Sequence, residues 1–287
     1  MTEPIARVSG SSLPPDGFRV HETTGSLDVE RVFDVLDGRL AAYRVRGFVP
    51  RDVCARIVAN FWASPDRVSR PGAGEDGVEA YFIGASHICK TTRQYLDEAH
   101  AADPAVARLY AGTINPVTVF RNAIAARGGE AICVRPAQHD GSSAGDAKAV
   151  YWNNPSYYLL EPHDDYAQTK DPDQHGFEIQ VARGVMAVNI YAQVPPGAGQ
   201  LQVWNIVPDD DSRARLGLTY SGYPYPPEVL REYPSQVIDV ETGDLCVLHG
   251  NLVHAVLRGD GAPPPRSRLL LTCFMTRKAS HELIWWT

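Results

Sequence analysis

The sequence predicts an α+β protein with a mainly β core. Apolar residues recur near the helical period as far as about residue 126, whereas short strand-like runs between Gly, Pro and Asn follow from about residue 130. Evenly spaced short strands with turn signals are typical of a β-sandwich, a jelly roll or a barrel. With 44% apolar and 21% charged residues, the composition is that of a globular protein.

Composition divides the chain into an extended leader and one domain. Residues 1–25 combine Pro, Gly and Ser without a period and are interpreted as the leader. The domain at 26–287 begins with helix-rich support at 26–130 and continues as the strand-rich core at 131–287. A Pro- and Tyr-rich insertion at 205–236 interrupts the strands. Loops this long inside a compact domain are usually functional or disordered, so we interpret the insertion as a lid.

Four helices are predicted in the first half of the chain. Apolar residues recur at helical spacing from Leu27 to Leu36, and Gly38 ends this run. The other helices are expected at 53–62, 91–100 and 104–126. Asp103 would cap the last of these, and Pro104 would occupy its first position, where a missing N–H does no harm.

The strand predictions rest on short apolar runs bounded by turn residues. A first strand is expected at 40–48, and a Gly-rich polar loop at 66–80. The strands of the second half are expected at 131–134, 157–160, 185–194, 200–204, 237–240, 245–248, 253–257 and 269–275.

Charge and cysteine content exclude several functional classes. The net charge of −7 argues against a nucleic-acid partner. No run of about 18 apolar residues occurs, so no membrane span is expected. Residues 1–20 lack the apolar segment of a signal peptide. The five cysteines form no C-x-x-C pair, which argues against a cysteine zinc site or a disulfide framework and favours a reduced, cytoplasmic protein.

Candidate metal ligands occur in two separated segments. LEPHDDYAQ contains His163 and Asp165, and GDLCVLHGNLVHAVL contains His254. Residues two apart at a strand end project to the same side. Two imidazoles and one carboxylate on one face of an octahedral iron leave three positions open for other ligands. Taken alone, each motif is more often a polar turn or a core histidine. His249 is the alternative to His254, although it precedes a glycine and resembles a turn residue.

Five segments, in order, resemble the Fe(II)/2-oxoglutarate-dependent oxygenases, in particular their prolyl-hydroxylase-like branch, over residues 40–280. RVRGFVPRDVCARIVANFW is similar to that family's entry strand and helix, and YYLLEPHDD to the strand that delivers His-x-Asp. VMAVNIYAQVPPGAGQLQVW is similar to a strand–turn–strand unit, with Gly199 in the turn. GDLCVLHGNLVHAV is similar to the strand pair that ends at the distal histidine, and RLLLTCFM to the final strand.

The resemblance implies a fold, a metal and a cosubstrate. The fold would be a double-stranded β-helix, or jelly roll, with N-terminal helices packed on the larger sheet. His163, Asp165 and His254 would hold Fe(II), and 2-oxoglutarate and dioxygen would be the cosubstrates. The far carboxylate of 2-oxoglutarate needs a planar two-pronged partner, which Arg supplies better than Lys.

Arg268, at the start of the final strand, is the residue that the resemblance assigns to this carboxylate, and Arg266 is the alternative. Tyr191 matches a position where some relatives place a hydroxyl on the same carboxylate, and Asn189 shares its strand face.

The implied function is hydroxylation of a small molecule, an amino acid or a natural-product intermediate, with conversion of 2-oxoglutarate and dioxygen to succinate and carbon dioxide. The alternatives are an oxygenase acting on a protein- or carrier-bound residue, a desaturase, or a non-catalytic jelly-roll binding protein. Substrate identity and oligomeric state are open at this stage.

Overall fold

Two β-sheets and a layer of helices form the body of the protein. The structure is a computed structural model that describes residues 7–70, 78–127, 132–154, 156–259, 266 and 268–287. The predicted loop at 66–80 and the predicted strand at 131–134 therefore lie partly outside the described residues. None of the described helices combines the length and the apolar character needed to cross a bilayer.

Most helices precede the strand-rich half. The α-helices are α1 (Val29–Leu36), α2 (Arg51–Ala63), α3 (Thr92–Leu109), α4 (Pro116–Ala125) and α5 (Asp210–Leu216). Short 3₁₀ turns occur at Ala167–Lys170, Pro172–Gln174, Glu178–Val181 and Pro227–Leu230. Thr91 and Gln94 form a capping box that satisfies the free N–H groups at the start of α3.

The predicted helix boundary at Asp103 is wrong. The helix continues through Pro104 as far as Leu109, and the next helix begins at Pro116. A buried apolar face that includes Ala99 and Val106 extends across the proline. This shared burial offsets the one backbone hydrogen bond that Pro104 removes. The Asn115 side chain caps α4 by accepting from the N–H groups of its first turn.

The strands are numbered in chain order. They are β1 (Gly10–Ser11), β2 (Val20–Thr24), β3 (Ala42–Arg46), β4 (Val68–Ser69), β5 (Glu79–Ile83), β6 (Cys133–Pro136), β7 (Gln138–His139), β8 (Ser142–Ser143), β9 (Lys148–Asn153), β10 (Tyr158–His163), β11 (Met186–Gln193), β12 (Leu201–Trp204), β13 (Val207–Pro208), β14 (Ser235–Ile238), β15 (Leu245–His249), β16 (His254–Leu257), β17 (Leu269–Ala279) and β18 (Glu282–Trp286). The sequence did not predict β5, β9 and β18, nor the short strands β1, β2, β4, β7, β8 and β13.

The larger sheet has the order β2-β3-β15-β11-β17-β9-β5-β4, and β18 pairs with both β17 and β6. The smaller sheet has the order β10-β16-β12-β14. Both sheets are mainly antiparallel, apart from the parallel pairs β2–β3 and β6–β18 in the larger one. Two short pairs, β1–β13 and β7–β8, lie outside these sheets.

The two faces of the larger sheet have different partners. Because side chains alternate along a strand, Val188 and Ile190 of β11 point to one face, and Ala187 and Tyr191 to the other. The first face packs against helix residues such as Phe33, Phe61 and Phe120. The second face packs against Leu201, Val203 and Val256 of the smaller sheet. The space between the sheets is therefore lined by alternate residues of β9, β11 and β17.

The proposed leader and the insertion both belong to the packed structure. Residues 7–25 contain the short strand β1, a turn at 15–19 and β2, which is the edge strand of the larger sheet. The insertion packs behind the smaller sheet, where Trp204 and Tyr225 share an apolar cluster with Val8. Tyr223 of the insertion reaches the opposite side, with its ring centroid 6.2 Å from that of His163. The structure thus places much of the insertion behind the sheet, while α5 and the turn around Tyr223 approach the candidate ligands.

Candidate metal centre

Two strands of the smaller sheet bring the three candidate ligands together. His163 ends β10 and lies opposite His254, which begins β16. Asp165 follows His163 by two residues, in the turn after the strand. One possible ligand atom from each residue lies within 4.8 Å of the other two, and the two imidazole centroids are 4.2 Å apart. All three side chains are buried. We call this group the His–Asp–His cluster.

Backbone carbonyls orient both imidazoles of the cluster. Nδ1 of His163 lies 2.8 Å from the carbonyl oxygen of Glu161, and Nδ1 of His254 lies 2.9 Å from that of Leu252. Because a carbonyl only accepts, each Nδ1 carries the proton, and each Nε2 is left with a free lone pair in the neutral ring. Nε2 of His163 is 3.8 Å and Nε2 of His254 is 3.4 Å from the Asp165 carboxylate. This is the orientation that a metal-binding histidine requires.

The electrostatics of the cluster favour one carboxylate and at least one neutral imidazole. Burial, helped by the neighbouring His254, lowers the pKa of His163 to about 4. Burial also opposes the charged form of His254, but the Asp165 carboxylate outweighs it and raises the pKa of that histidine. The pKa of Asp165 is lowered, because attraction to His254 and His163 outweighs its burial. The raised pKa of His254 and the lowered pKa of Asp165 thus share one cause, the attraction between these two side chains.

A buried aspartate between the two turn ligands holds the turn in place. Asp164 accepts hydrogen bonds from the backbone N–H groups of Tyr166 and Ala167, at 3.0 and 2.9 Å. Its carboxylate also pairs with Arg213 at 3.1 Å and accepts from the Tyr225 hydroxyl at 2.7 Å. The last two residues belong to the insertion. Sequence reasoning did not identify Asp164, since a second aspartate in His-Asp-Asp resembles ordinary surface polarity.

A buried guanidinium without a partner lies deep between the sheets. Arg268 is 2% exposed, and none of its three nitrogens has a hydrogen-bond partner within the described part of the chain. Its guanidinium lies 4.4 Å from the Trp152 ring centroid and 5.8 Å from that of Tyr191. Burial lowers its pKa to about 10, so it remains charged at neutral pH. An unpaired buried charge destabilises the folded state, and an anion bound to Arg268 would remove this cost. The arrangement is therefore suited to bind an anion.

The neighbouring polar groups support this interpretation of Arg268. The hydroxyl of Tyr191 is buried and, in the described residues, has no hydrogen-bond partner. Asn189 lies on the same face of β11 and accepts a hydrogen bond of 2.8 Å from the Thr272 hydroxyl. Arg266, the alternative, is exposed and lies 4.7 Å over the ring of Trp62, on the helix-covered side of the sheet. Of the two arginines, only Arg268 faces the space between the sheets.

His249, the alternative to His254, lies elsewhere. It ends β15, and its backbone N–H donates to the carbonyl of Ala41. Its ring lies beside Gly38 at the end of α1, and burial lowers its pKa to about 4. It is not among the residues of the His–Asp–His cluster.

A groove of about 630 Å³ opens on the outer face of the smaller sheet, lined in part by Tyr158, Trp204 and Tyr233. None of its lining residues belongs to the His–Asp–His cluster, so the groove and the cluster are on opposite faces of the sheet.

Comparison with known proteins gives one close relative by sequence. No protein-family model matches the chain. An L-isoleucine 3(1)-dioxygenase from Pantoea ananatis (strain AJ13355) is 31% identical over 257 residues, which cover 85% of this chain and 83% of that protein.

Solved structures show a related fold at low sequence identity. An N-substituted L-amino acid dioxygenase from Burkholderia ambifaria AMMD superposes with a TM-score of 0.54 at 14% identity, over 90% of this chain and 91% of that one. The same protein in complex with α-ketoglutarate gives a TM-score of 0.51 at 12% identity, with the same coverage.

Proposed function

The chain belongs to the Fe(II)- and 2-oxoglutarate-dependent oxygenases, and from this premise we propose that it hydroxylates a free aliphatic L-amino acid. The observation that carries the proposal is a buried arginine, Arg268, that has no hydrogen-bond partner among the described residues and lies in the same interior space as the His–Asp–His cluster. The substrate class is suggested by the L-isoleucine dioxygenase that is similar over most of the chain.

The donor atoms of the cluster fit iron. His163 and His254 would supply Nε2 and Asp165 a carboxylate oxygen, which is the set that leaves adjacent positions open on a divalent iron. When bound, Fe(II) and 2-oxoglutarate supply the oxidising power for an unactivated C–H bond, with dioxygen consumed and succinate and carbon dioxide released. The protein's part is to hold the ligands, to position the substrate carbon and to exclude bulk water.

The unpartnered groups fit a dicarboxylate cosubstrate. Arg268 would pair with the far carboxylate of 2-oxoglutarate, and the Tyr191 hydroxyl would donate to the same group. Asn189, already bonded to Thr272, would line the same wall. We further infer that the two sheets form a double-stranded β-helix with the cosubstrate between them. The packing of the helix layer on the larger sheet and of the smaller sheet on its other face supports this arrangement.

The test is product formation with defined amino acids. The protein with Fe(II), ascorbate, 2-oxoglutarate and L-isoleucine should release succinate faster than without an amino acid, and the product mass should increase by one oxygen atom. Loss of two hydrogens would identify a desaturase instead. Equal succinate release with and without every aliphatic L-amino acid would contradict the proposed substrate class.

A close approach of the backbone to Arg268 yields a second test. A Cβ at Gly199 would lie 2.9 Å from Nε and 3.2 Å from Cδ of Arg268. Gly199→Ala should therefore displace the guanidinium and raise the KM for 2-oxoglutarate by about tenfold, on the order of 1.4 kcal/mol of binding energy. Steady-state kinetics at varied 2-oxoglutarate measures this effect.

Gly197→Ala is the matched control for this variant. Gly197 also has a positive φ, 72° against 77°, but a Cβ there meets nothing within 4 Å in the described structure. Both variants carry the backbone cost of about 1 kcal/mol in stability, and only Gly199→Ala should change the KM. An equal change in both would show that turn strain, not contact with Arg268, is responsible.

A further inference from the structure

Besides Arg268, two other cationic side chains lie in the same interior region, the buried Lys148 and the half-buried Arg70. The Asp165 carboxylate attracts Lys148, but from beyond ion-pair distance. Lys148 and Arg70 form no ion pair with any described residue. Buried charges are usually paired or bound to a ligand. The role of these two cations is not explained by the metal or by 2-oxoglutarate.

Lys148 begins β9 and points between the sheets. It lies on the same strand face as Val150 and Trp152, which belong to the cluster packed between the sheets. Its ammonium donates to the Ser86 hydroxyl at 3.0 Å and lies 5.7 Å from the Phe274 ring centroid. Burial, followed by the charge of Arg70, lowers its pKa to about 7. An anion bound beside Lys148 would restore its full charge.

Arg70 approaches the same region from the edge of the larger sheet. Its backbone N–H donates to the Ala80 carbonyl, and its guanidinium lies 5.2 Å from the Trp152 ring centroid. Burial lowers its pKa, partly offset by interaction with Tyr223 of the insertion. Tyr223 lies beside the His163 ring, and the charge of Arg70 also acts on His163, so Arg70 is near the His–Asp–His cluster.

A charge count indicates what these two residues bind. Asp165 and a 2-oxoglutarate dianion carry three negative charges, which Fe(II) and Arg268 balance. Arg70, together with Lys148 in its protonated form, therefore adds positive charge beside a neutral centre. The described residues offer no ion-pair partner for them, and the carboxylate of an amino-acid substrate is a group that could fill this role.

We propose that Arg70 and Lys148 form the binding site for the carboxylate of the amino-acid substrate. This assignment rests on the proposed function and identifies the group by which the substrate is recognised. Trp152, in contact with both Arg70 and Arg268, separates this carboxylate from the far carboxylate of 2-oxoglutarate. The substrate carboxylate would then be held away from the iron, and its side chain would extend toward the His–Asp–His cluster.

The test compares L-isoleucine with L-isoleucinamide, which lacks the negative charge. Wild-type protein should prefer the acid, whereas Arg70→Met and Lys148→Met should each raise the KM for L-isoleucine by about thirtyfold or more, the range for a charge-assisted pair. Neither variant should change the KM for the amide by more than about threefold, which corresponds to less than about 1.4 kcal/mol of binding free energy. Arg70→Lys, which keeps a charge, should recover part of the loss.

Two further measurements separate this site from the cosubstrate site and from the fold. The Kd of 2-oxoglutarate, measured by calorimetry with Mn(II) in place of iron, should be unchanged in both methionine variants. Arg266→Met, a substitution of an exposed arginine over Trp62, is the control and should leave both KM values unchanged.

Three results with the variants would overturn the assignment. The first is an unchanged KM for L-isoleucine in Arg70→Met and Lys148→Met. The second is equal loss for the acid and the amide, which a distorted fold would produce. The third is loss of 2-oxoglutarate binding instead. If the wild-type protein oxidises no amino acid, the proposed function itself fails, whereas oxidation of acid and amide with equal KM contradicts only the carboxylate site.

Discussion

Replacement of His254 by alanine is expected to weaken Fe(II) binding by more than about a hundredfold and to abolish substrate oxidation. Loss of a residue that merely orients a metal ligand typically weakens binding 10–100-fold, and loss of a ligand removes more. The substitution removes one of only three converging ligand atoms in the cluster. Anaerobic calorimetry with Fe(II) or Mn(II) measures the affinity, and succinate release measures activity.

The matched control is His139→Ala. His139 also neighbours an aspartate, Asp140, but this pair lies on the β7–β8 hairpin and is not part of the cluster. The control should bind metal as the wild type does. A second variant, Asp165→Asn, removes the charge at nearly constant shape and should also lose metal affinity. It provides the test if His254→Ala folds poorly. Tight metal binding by both cluster variants would show that the site lies elsewhere.

Replacement of Arg268 by methionine should have two effects of opposite sign. Without Arg268, the far carboxylate of 2-oxoglutarate would be buried without a partner, which costs about 3–5 kcal/mol of binding free energy. At about 1.4 kcal/mol per decade, 2-oxoglutarate should therefore bind at least about a hundredfold more weakly. The ligand-free protein should become more stable, by about 1–3 kcal/mol, because the unpaired guanidinium no longer has to be buried. Few binding-site substitutions are expected to lower the affinity for a ligand and at the same time raise the stability of the ligand-free protein.

Thermal denaturation with and without 2-oxoglutarate measures both effects. In the wild type, a ligand at a hundred times its Kd stabilises by about 2.7 kcal/mol, and this increment should vanish in Arg268→Met. Arg266→Met, on the helix-covered side, should keep the increment. If Arg266→Met loses it and Arg268→Met does not, the two arginines exchange roles.

Local sequence signals predicted the elements that carry the cluster. β10, β11, β15, β16 and β17 all overlap predicted runs bounded by Gly, Pro and Asn, with boundaries that differ by at most four residues, because such strands are apolar and buried on at least one face. Family order then associated His163, Asp165 and His254, which the fold brings within 4.8 Å. Their role as iron ligands is what the His254 variant tests.

The substrate side was much less predictable. The segment that forms β9 contains Lys148, a residue type that is almost always exposed. The sequence pattern of this segment therefore does not predict a buried strand. The environment of Arg70 depends on Trp152 and Tyr223, which are distant in sequence and meet only in the folded chain. Likewise, the proline at 104 indicates a helix start locally, and only the buried face shared across it shows that the helix continues.

The hydrogen bonds of Asp164 have a consequence for how this protein can change in evolution. Because Arg213 and Tyr225 of the insertion bind the residue between two candidate ligands, the geometry of the turn is set before any metal arrives. The conformational entropy of that turn is thus lost when the protein folds, so metal binding does not have to order it. A deletion or loop exchange that removes Arg213 and Tyr225 should therefore lower the affinity for the metal more than it changes the binding of a substrate.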